Sequence, residues 1–173
     1  MPETTPNPLA HLLREVRIRA SLLMKRAHAC EPAAVARLGP TPKRRRALDL
    51  TAQEMTASDY RSLGARCKTA SGTIADPTLI FERRVSAFWN HWFADAQSAR
   101  AHLKAHGGAL FPYRSQFVVV QPGLLAAVAL DPQDPDWDRI GHDWSEPRDA
   151  DAFARLNAKL IIAGFSREVH HAS

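Results

Sequence analysis

Residues 76–106 read DPTLIFERRVSAFWNHWFADAQSARAHLKAH, and how this stretch folds decides the architecture of the chain. Asp76-Pro77 has the chemistry of a helix start. An aspartate carboxylate accepts from the free amides of a first turn, and proline already holds the helical φ where its missing N–H costs nothing. Gly107-Gly108 has the chemistry of a stop, because glycine enters the left-handed conformation without steric penalty. Between these marks Val85, Trp89, Trp92, Phe93, Ala96 and Leu103 share one side of a helical period. The pattern predicts one long central helix, a rod of about 45 Å at about 1.5 Å per residue, with Phe93–Asp95 as the point where it would break.

Downstream, Ala109–Tyr113 and Gln116–Val120 predict two short strands joined at Arg114-Ser115, a small antiparallel hairpin to pack on that helix. Leu124–Leu130 suits either a short helix or a buried strand, since periodicity does not separate the two over so few residues. Asp134 caps a single helical turn that Pro135 opens and Gly141 closes, and Trp137, Ile140 and Trp144 pin it to the core. A final helix from about Asp149 to Ala163 places Phe153, Leu156 and Leu160 on one face and ends at Gly164.

Upstream the composition changes. Twelve of the thirteen aromatic residues lie at or beyond Phe81, and residues 1–75 carry 13 Lys+Arg against 6 Asp+Glu, whereas residues 76–173 carry 10 against 12. Aromatic side chains bury the most surface, so the folding core belongs in the carboxyl-terminal part. Four segments follow: a proline-rich disordered tail (1–8), a basic helical region (9–75), an aromatic-rich α+β core (76–165) and a C-terminal tail (166–173). The expected fold is α+β and mostly helical, with four or five helices and the hairpin packed on the long central helix.

Within the basic region, Leu9, Leu13, Val16, Ala20, Leu23 and Ala27 recur at spacings of four and three, an apolar seam on a helix from Pro8 to His28. Glu31–Leu38 suits a second helix, stopped by Gly39-Pro40 and Pro42. Thr51-Ala-Gln-Glu54 has the form of a capping box that would open a helix over about 52–66. Gly64 is also where the turn of a helix-turn-helix over 56–74 would fall, but Tyr60 is large for a close helix crossing and Gly72 weakens the second helix.

Several functional classes find no support. The longest apolar run, Gly123–Leu130, is far short of the roughly 20 residues of a membrane helix, so no membrane partner is expected. Residues 1–8 lack a charged-then-apolar leader, so the expected compartment is the cytoplasm. Cys30 and Cys67 form no CxxC, and neither a phosphate-cradling glycine loop nor a GxSxG elbow occurs, so no cofactor is expected.

Three polar groups carry metal-like spacing. Asp134, Asp136 and Asp138 match positions one, three and five of a calcium loop, but Arg139 and Ser145 stand where glycine and glutamate are needed. His91, Asp95, Ser98, His102 and His106 form a polar stripe on the expected helix. His102 and His106 are four apart, as in zinc-binding helices, but no glutamate neighbours His102 and no third ligand is evident. His142-Asp143 is similar to the dipeptide of metal-dependent phosphohydrolases, without a visible metal shell around it. A metal-dependent hydrolase built on the His91–His106 stripe or on His142 and Asp143 is therefore the third reading.

The leading reading is a non-enzymatic binding or accessory protein that engages the phosphate backbone of nucleic acid. Lys43, Arg44, Arg45 and Arg46 are contiguous, and Arg14, Arg19, Lys25, Arg26, Arg61, Arg66 and Lys68 widen the basic surface if the helices lie side by side. The alternative is a protein-interaction module whose Leu9–Ala27 seam pairs with a protein partner or a second copy of the chain.

Overall fold

The computed structural model describes residues 8–56, 58–70, 73–84 and 89–168. The chain forms two compact units, residues 1–71 and 72–173, with nine helices and five short strands among the described residues. It is an α+β fold, mostly helical, and the helices outnumber the four or five expected. Residues 1–7 of the expected tail and Val85 lie outside the described residues.

The first unit is four helices: α1 (Pro8–His28), α2 (Pro32–Leu38), α3 (Arg44–Thr56) and α4 (Tyr60–Thr69). The seam of α1 is buried, with one substitution in its membership. Leu12 takes the core position and Leu13 is half-buried, so the stripe runs Leu9, Leu12, Val16, Ala20, Leu23, Ala27. Spacings of three then four from Leu9 follow 3.6 residues per turn as well as four then three. Ala20, Leu23 and Ala27 close on Ala34 and Leu38 of α2 and Ala47 of α3, so this part of the seam is core within the unit.

Two boundaries differ from expectation. The helix expected over about 52–66 starts earlier: α3 begins at Arg44 and passes through the expected capping box. Thr51 is mid-helix, its hydroxyl donating to the Ala47 carbonyl at 2.8 Å in the buried face formed with Ala47, Ala52 and Met55. The cap that sequence reading placed at Thr51 is Asp59, which accepts from the Ser62 amide at 2.8 Å and opens α4. Gly64 lies inside α4, so residues 56–74 contain no helix-turn-helix turn at that glycine.

In the second unit the predicted central helix is three elements: α5 (Thr78–Arg84), β2 (Asn90–Phe93) and α6 (Ala96–His106). Asp95 is the N-cap of α6 and accepts from the Ser98 amide at 2.8 Å, which restarts the helix just past the expected break. The strands β3 (Ala109–Tyr113) and β4 (Gln116–Val120) form the expected hairpin, and β2 pairs on the far side of β4, giving an antiparallel sheet of order β2-β4-β3. Leu124 lies in a helix, α7 (Pro122–Ala127), followed by α8 (Pro135–Ile140) and α9 (Ala150–Ile162). Asp134 caps α8 and Gly141 ends it in the left-handed conformation, as the sequence indicates. Ser166–Glu168, assigned to the tail, is instead a strand, β5, paired antiparallel with β1 (Thr73–Ala75).

The sheet separates two apolar layers. On one face Phe111 meets Trp137 and Trp144 at ring distances of 6.0 and 5.1 Å, within the main core that also holds Val118, Val120, Leu156 and Leu160. On the other face Ala99 of α6 packs on Leu110 and Val119. Alternation along β2 follows from the period of a strand: Trp92 shares the Val118–Phe111 row, while His91 and Phe93 share rows with Val119 and Phe117.

Candidate nucleic-acid interface and the polar clusters

Charge is unevenly matched in the first unit. Residues 8–70 contain 13 Lys+Arg and five carboxylates. Four of those carboxylates are held by arginine: Glu15 by Arg19, Glu31 by Arg26, Glu54 by Arg37 and Asp49 by Arg45. The fifth, Asp59, caps α4, and the amide and hydroxyl of Ser62 hold its carboxyl below the ordinary value. Two bonds from Arg26 likewise lower the Glu31 carboxyl and raise the Arg26 guanidinium. Arg66 bonds the Ser58 hydroxyl at 2.7 Å. Among the described residues no carboxylate pairs with Arg14, Lys25, Lys43, Arg44, Arg46, Arg61 or Lys68, all of them exposed.

The fold brings part of this set together. Lys25 and His28 at the end of α1 line a shallow pocket of about 400 Å³ with Arg44 at the start of α3. Lys43 precedes α3, and Arg44, Arg45 and Arg46 fill its opening, whose first turn holds no acid. A helix start carries free amides and the positive end of the macrodipole, so four cations there repel one another and attract an anion. Arg26 points its guanidinium to Glu31 instead, and Arg19 is held by Glu15 one turn earlier. Arg17 is exposed, and its Nε donates to the Tyr60 hydroxyl at 2.7 Å, tying α1 to α4. His28 was not singled out, and only the packing of α1 on α3 shows it beside Arg44.

The acidic segment of the second unit is largely internal structure. Asp136 is fully buried and accepts from Arg155 of α9 twice, at 2.7 and 3.0 Å. Lys159, one turn further on, bonds Asp134 and stands 3.6 Å from Asp136. Asp138, the third carboxylate of the calcium-like spacing, turns outward to the His142 ring at 2.9 Å. The three therefore do not converge on one ion. Asp143 is buried beside Arg100. Burial pushes its carboxyl up, but bonds from the Ser145 hydroxyl, Arg100 and the Glu146 amide outweigh that, and the net shift is downward. The Asp143 carboxylate is thus already engaged by a guanidinium, a hydroxyl and two amides.

The histidines of the polar stripe do meet. His91 on β2 lies 4.3 Å from His102 ring to ring, and His106 lies 4.2 Å from His102, so the strand supplies the third imidazole that α6 alone lacks. The His102 and His106 rings are stacked, inclined by 20°, and the His91 ring is tilted from His102 by 37°. His106 Nδ1 is 3.2 Å from the His102 carbonyl, which fixes that nitrogen as the donor. His102 Nε2 is buried without a hydrogen-bond partner, and desolvation, then His106 and His91, depress its pKa. No group of three or more His, Cys, Asp or Glu among the described residues is arranged to hold a metal ion, and no helix there is long and apolar enough to cross a membrane. Neither a protein-family model, nor a curated protein, nor a solved structure matches this chain.

Proposed function

We propose that the protein is a non-enzymatic binding protein whose first unit engages nucleic acid through phosphates. The observation that carries this reading is the charge balance at the start of α3. Lys43, Arg44 and Arg46 have no carboxylate partner among the described residues, and Arg44 shares a pocket with Lys25 and His28. Cations that fold structure uses are matched, as Arg19, Arg26, Arg37 and Arg45 are. Those left over make an electrostatic surface suited to a polyanion, and phosphate contact would also relieve the repulsion at the helix start.

Binding of this kind is dominated by counterion release. If Lys25, Lys43, Arg44 and Arg46 each neutralise one phosphate of a duplex, log K falls with log salt at a slope of about −3.6, so affinity drops roughly 150-fold between about 50 and 200 mM salt. Fluorescence anisotropy with labelled duplex and single-stranded probes tests this. The triple variant Lys43→Ala, Arg44→Ala, Arg46→Ala should bind weakly and with a flatter salt slope, whereas Arg37→Ala, which removes a paired cation, should change little. No binding to either probe at about 50 mM salt would end the proposal.

A further inference from the structure

The second unit contains an open pocket of about 850 Å³ that the nucleic-acid reading does not use. It is the size of a small-molecule site. Its walls come from α6 and the Gly107-Gly108 turn on one side, and from the segment Gly141–Arg148 on the other. Three cations line it, Arg100, Lys104 and Arg148, against two carboxylates, Asp143 and Glu146.

Both carboxylates belong to Arg100, which bonds Asp143 at 2.7 Å and Glu146 at 2.8 Å. Asp143 in turn accepts from the amides of Ser145 and Glu146 at 2.9 and 3.1 Å. Arg100 therefore neutralises the acids and fixes the loop that carries Arg148. Among the described residues neither Lys104 nor Arg148 has a carboxylate partner. Arg148 is nonetheless positioned: it lies along the bare face of Gly141, where a Cβ would stand 2.9 Å from its Nε. The adjoining residues are in the left-handed region, Gly141 at φ 72° and the non-glycine His142 at φ 55°. Non-glycine residues held there cost energy that the surrounding structure must offset, and such positions concentrate at ligand sites.

We propose that this pocket binds a small dianionic oxyanion, a phosphate monoester or a dicarboxylate, with Lys104 and Arg148 as its charge partners. Two unmatched cations balance two negative charges, and a monoanion would leave one unbalanced. Arg148 offers the planar fork that suits bidentate recognition, and Lys104 offers a point charge. Leu103 and Pro147 supply apolar wall for the organic body of the ligand.

The experiment is isothermal titration calorimetry of the full chain at low salt with phenyl phosphate, phthalate, and benzoate as the monoanionic control. Phenyl phosphate or phthalate should bind and benzoate should bind at least about ten-fold more weakly, the stronger dianion identifying the headgroup. Lys104→Ala and Arg148→Ala, both exposed positions, should each weaken the preferred dianion by about ten-fold or more, with Arg148→Lys intermediate. Arg44→Ala in the first unit should leave binding unchanged, which separates this site from the nucleic-acid surface. Near-ultraviolet circular dichroism checks that each variant is folded. The proposal is overturned if neither dianion binds at about 10 mM, if benzoate binds equally well, or if the folded Lys104 and Arg148 variants bind like the parent.

Discussion

Replacing Asp136 with alanine should cost the second unit more than any surface change. Its carboxylate is fully buried, receives two bonds from Arg155, itself 5% exposed, and faces Lys159. Removing it takes both of those bonds from the buried Arg155 guanidinium, and breaking a buried pair from one side costs about 3–5 kcal/mol. With a urea slope of about 1.5–2 kcal/mol/M for a unit of this size, the midpoint should fall by about 2 M. All four tryptophans lie in residues 72–173, so tryptophan fluorescence follows this unit without interference from the first. The paired variant Asp136→Val, Arg155→Met removes both charges, leaves Lys159 its bond to Asp134, and should recover most of the loss. A single variant that costs less than about 1 kcal/mol, or a double variant no better than the single, would refute this account of the cluster.

Three further outcomes follow from other sites. Because the folded state depresses His102, the unfolded chain binds more protons on acidification. Stability of the second unit should be level above about pH 6.5 and fall as pH drops through the lower folded pKa, and His102→Gln should flatten that fall in pH-dependent urea melts. Gly108→Ala should destabilise by about 2–4 kcal/mol, because φ is 107° and the added Cβ would stand 2.5 Å from the Val120 carbonyl oxygen. Gly107→Ala, with φ 73° and open space around it, should cost about 1–2 kcal/mol in the same melts. Thiol titration with a chromogenic disulfide should resolve one fast cysteine, Cys30, and one slow, since Cys67 is buried and desolvation raises its pKa.

The parts of the fold legible in the sequence are those fixed by local chemistry. Asp134-Pro135 and Gly141 bound α8, and the β-branched run at the end of Gln116–Val120, set off by the Arg114-Ser115 turn, marked the hairpin, because caps and turns act over a few residues. The central helix was misread for a different reason. Trp89, Trp92 and Phe93 satisfy a helical spacing, but β4 has an open edge that β2 completes, and that gain lies outside the segment's own sequence. One local sign did exist: Asp95 followed three residues later by Ser98 is a capping arrangement, equal in kind to Asp76-Pro77. In the first unit Thr51-x-x-Glu54 mimicked a cap because a buried threonine can bond the carbonyl four residues back as readily as an amide ahead. The site was legible as composition, since the cations of Lys43–Arg46 stood out. Which cations are already matched was not, because Arg37 reaches Glu54 across 17 residues and Arg100 reaches Asp143 across 43. The same holds for His91, which joins His102 only when β2 lies beside α6.

The pairing of β1 with β5 has a topological consequence. Thr73 stands opposite Glu168 and Ala75 opposite Ser166, while the Asp76 amide bonds the Phe165 carbonyl at 2.9 Å and Arg167 pairs with Asp76. Thr73 and Glu168, the first and last described residues of this unit, therefore lie side by side, about 5 Å apart at the backbone. Joining residue 168 to residue 73 by a short linker and cutting at the exposed Arg114-Ser115 turn should give a permuted protein that still folds. By the same geometry, the unit suits insertion into a loop of another protein, where it would widen that loop by little more than the spacing of two strands.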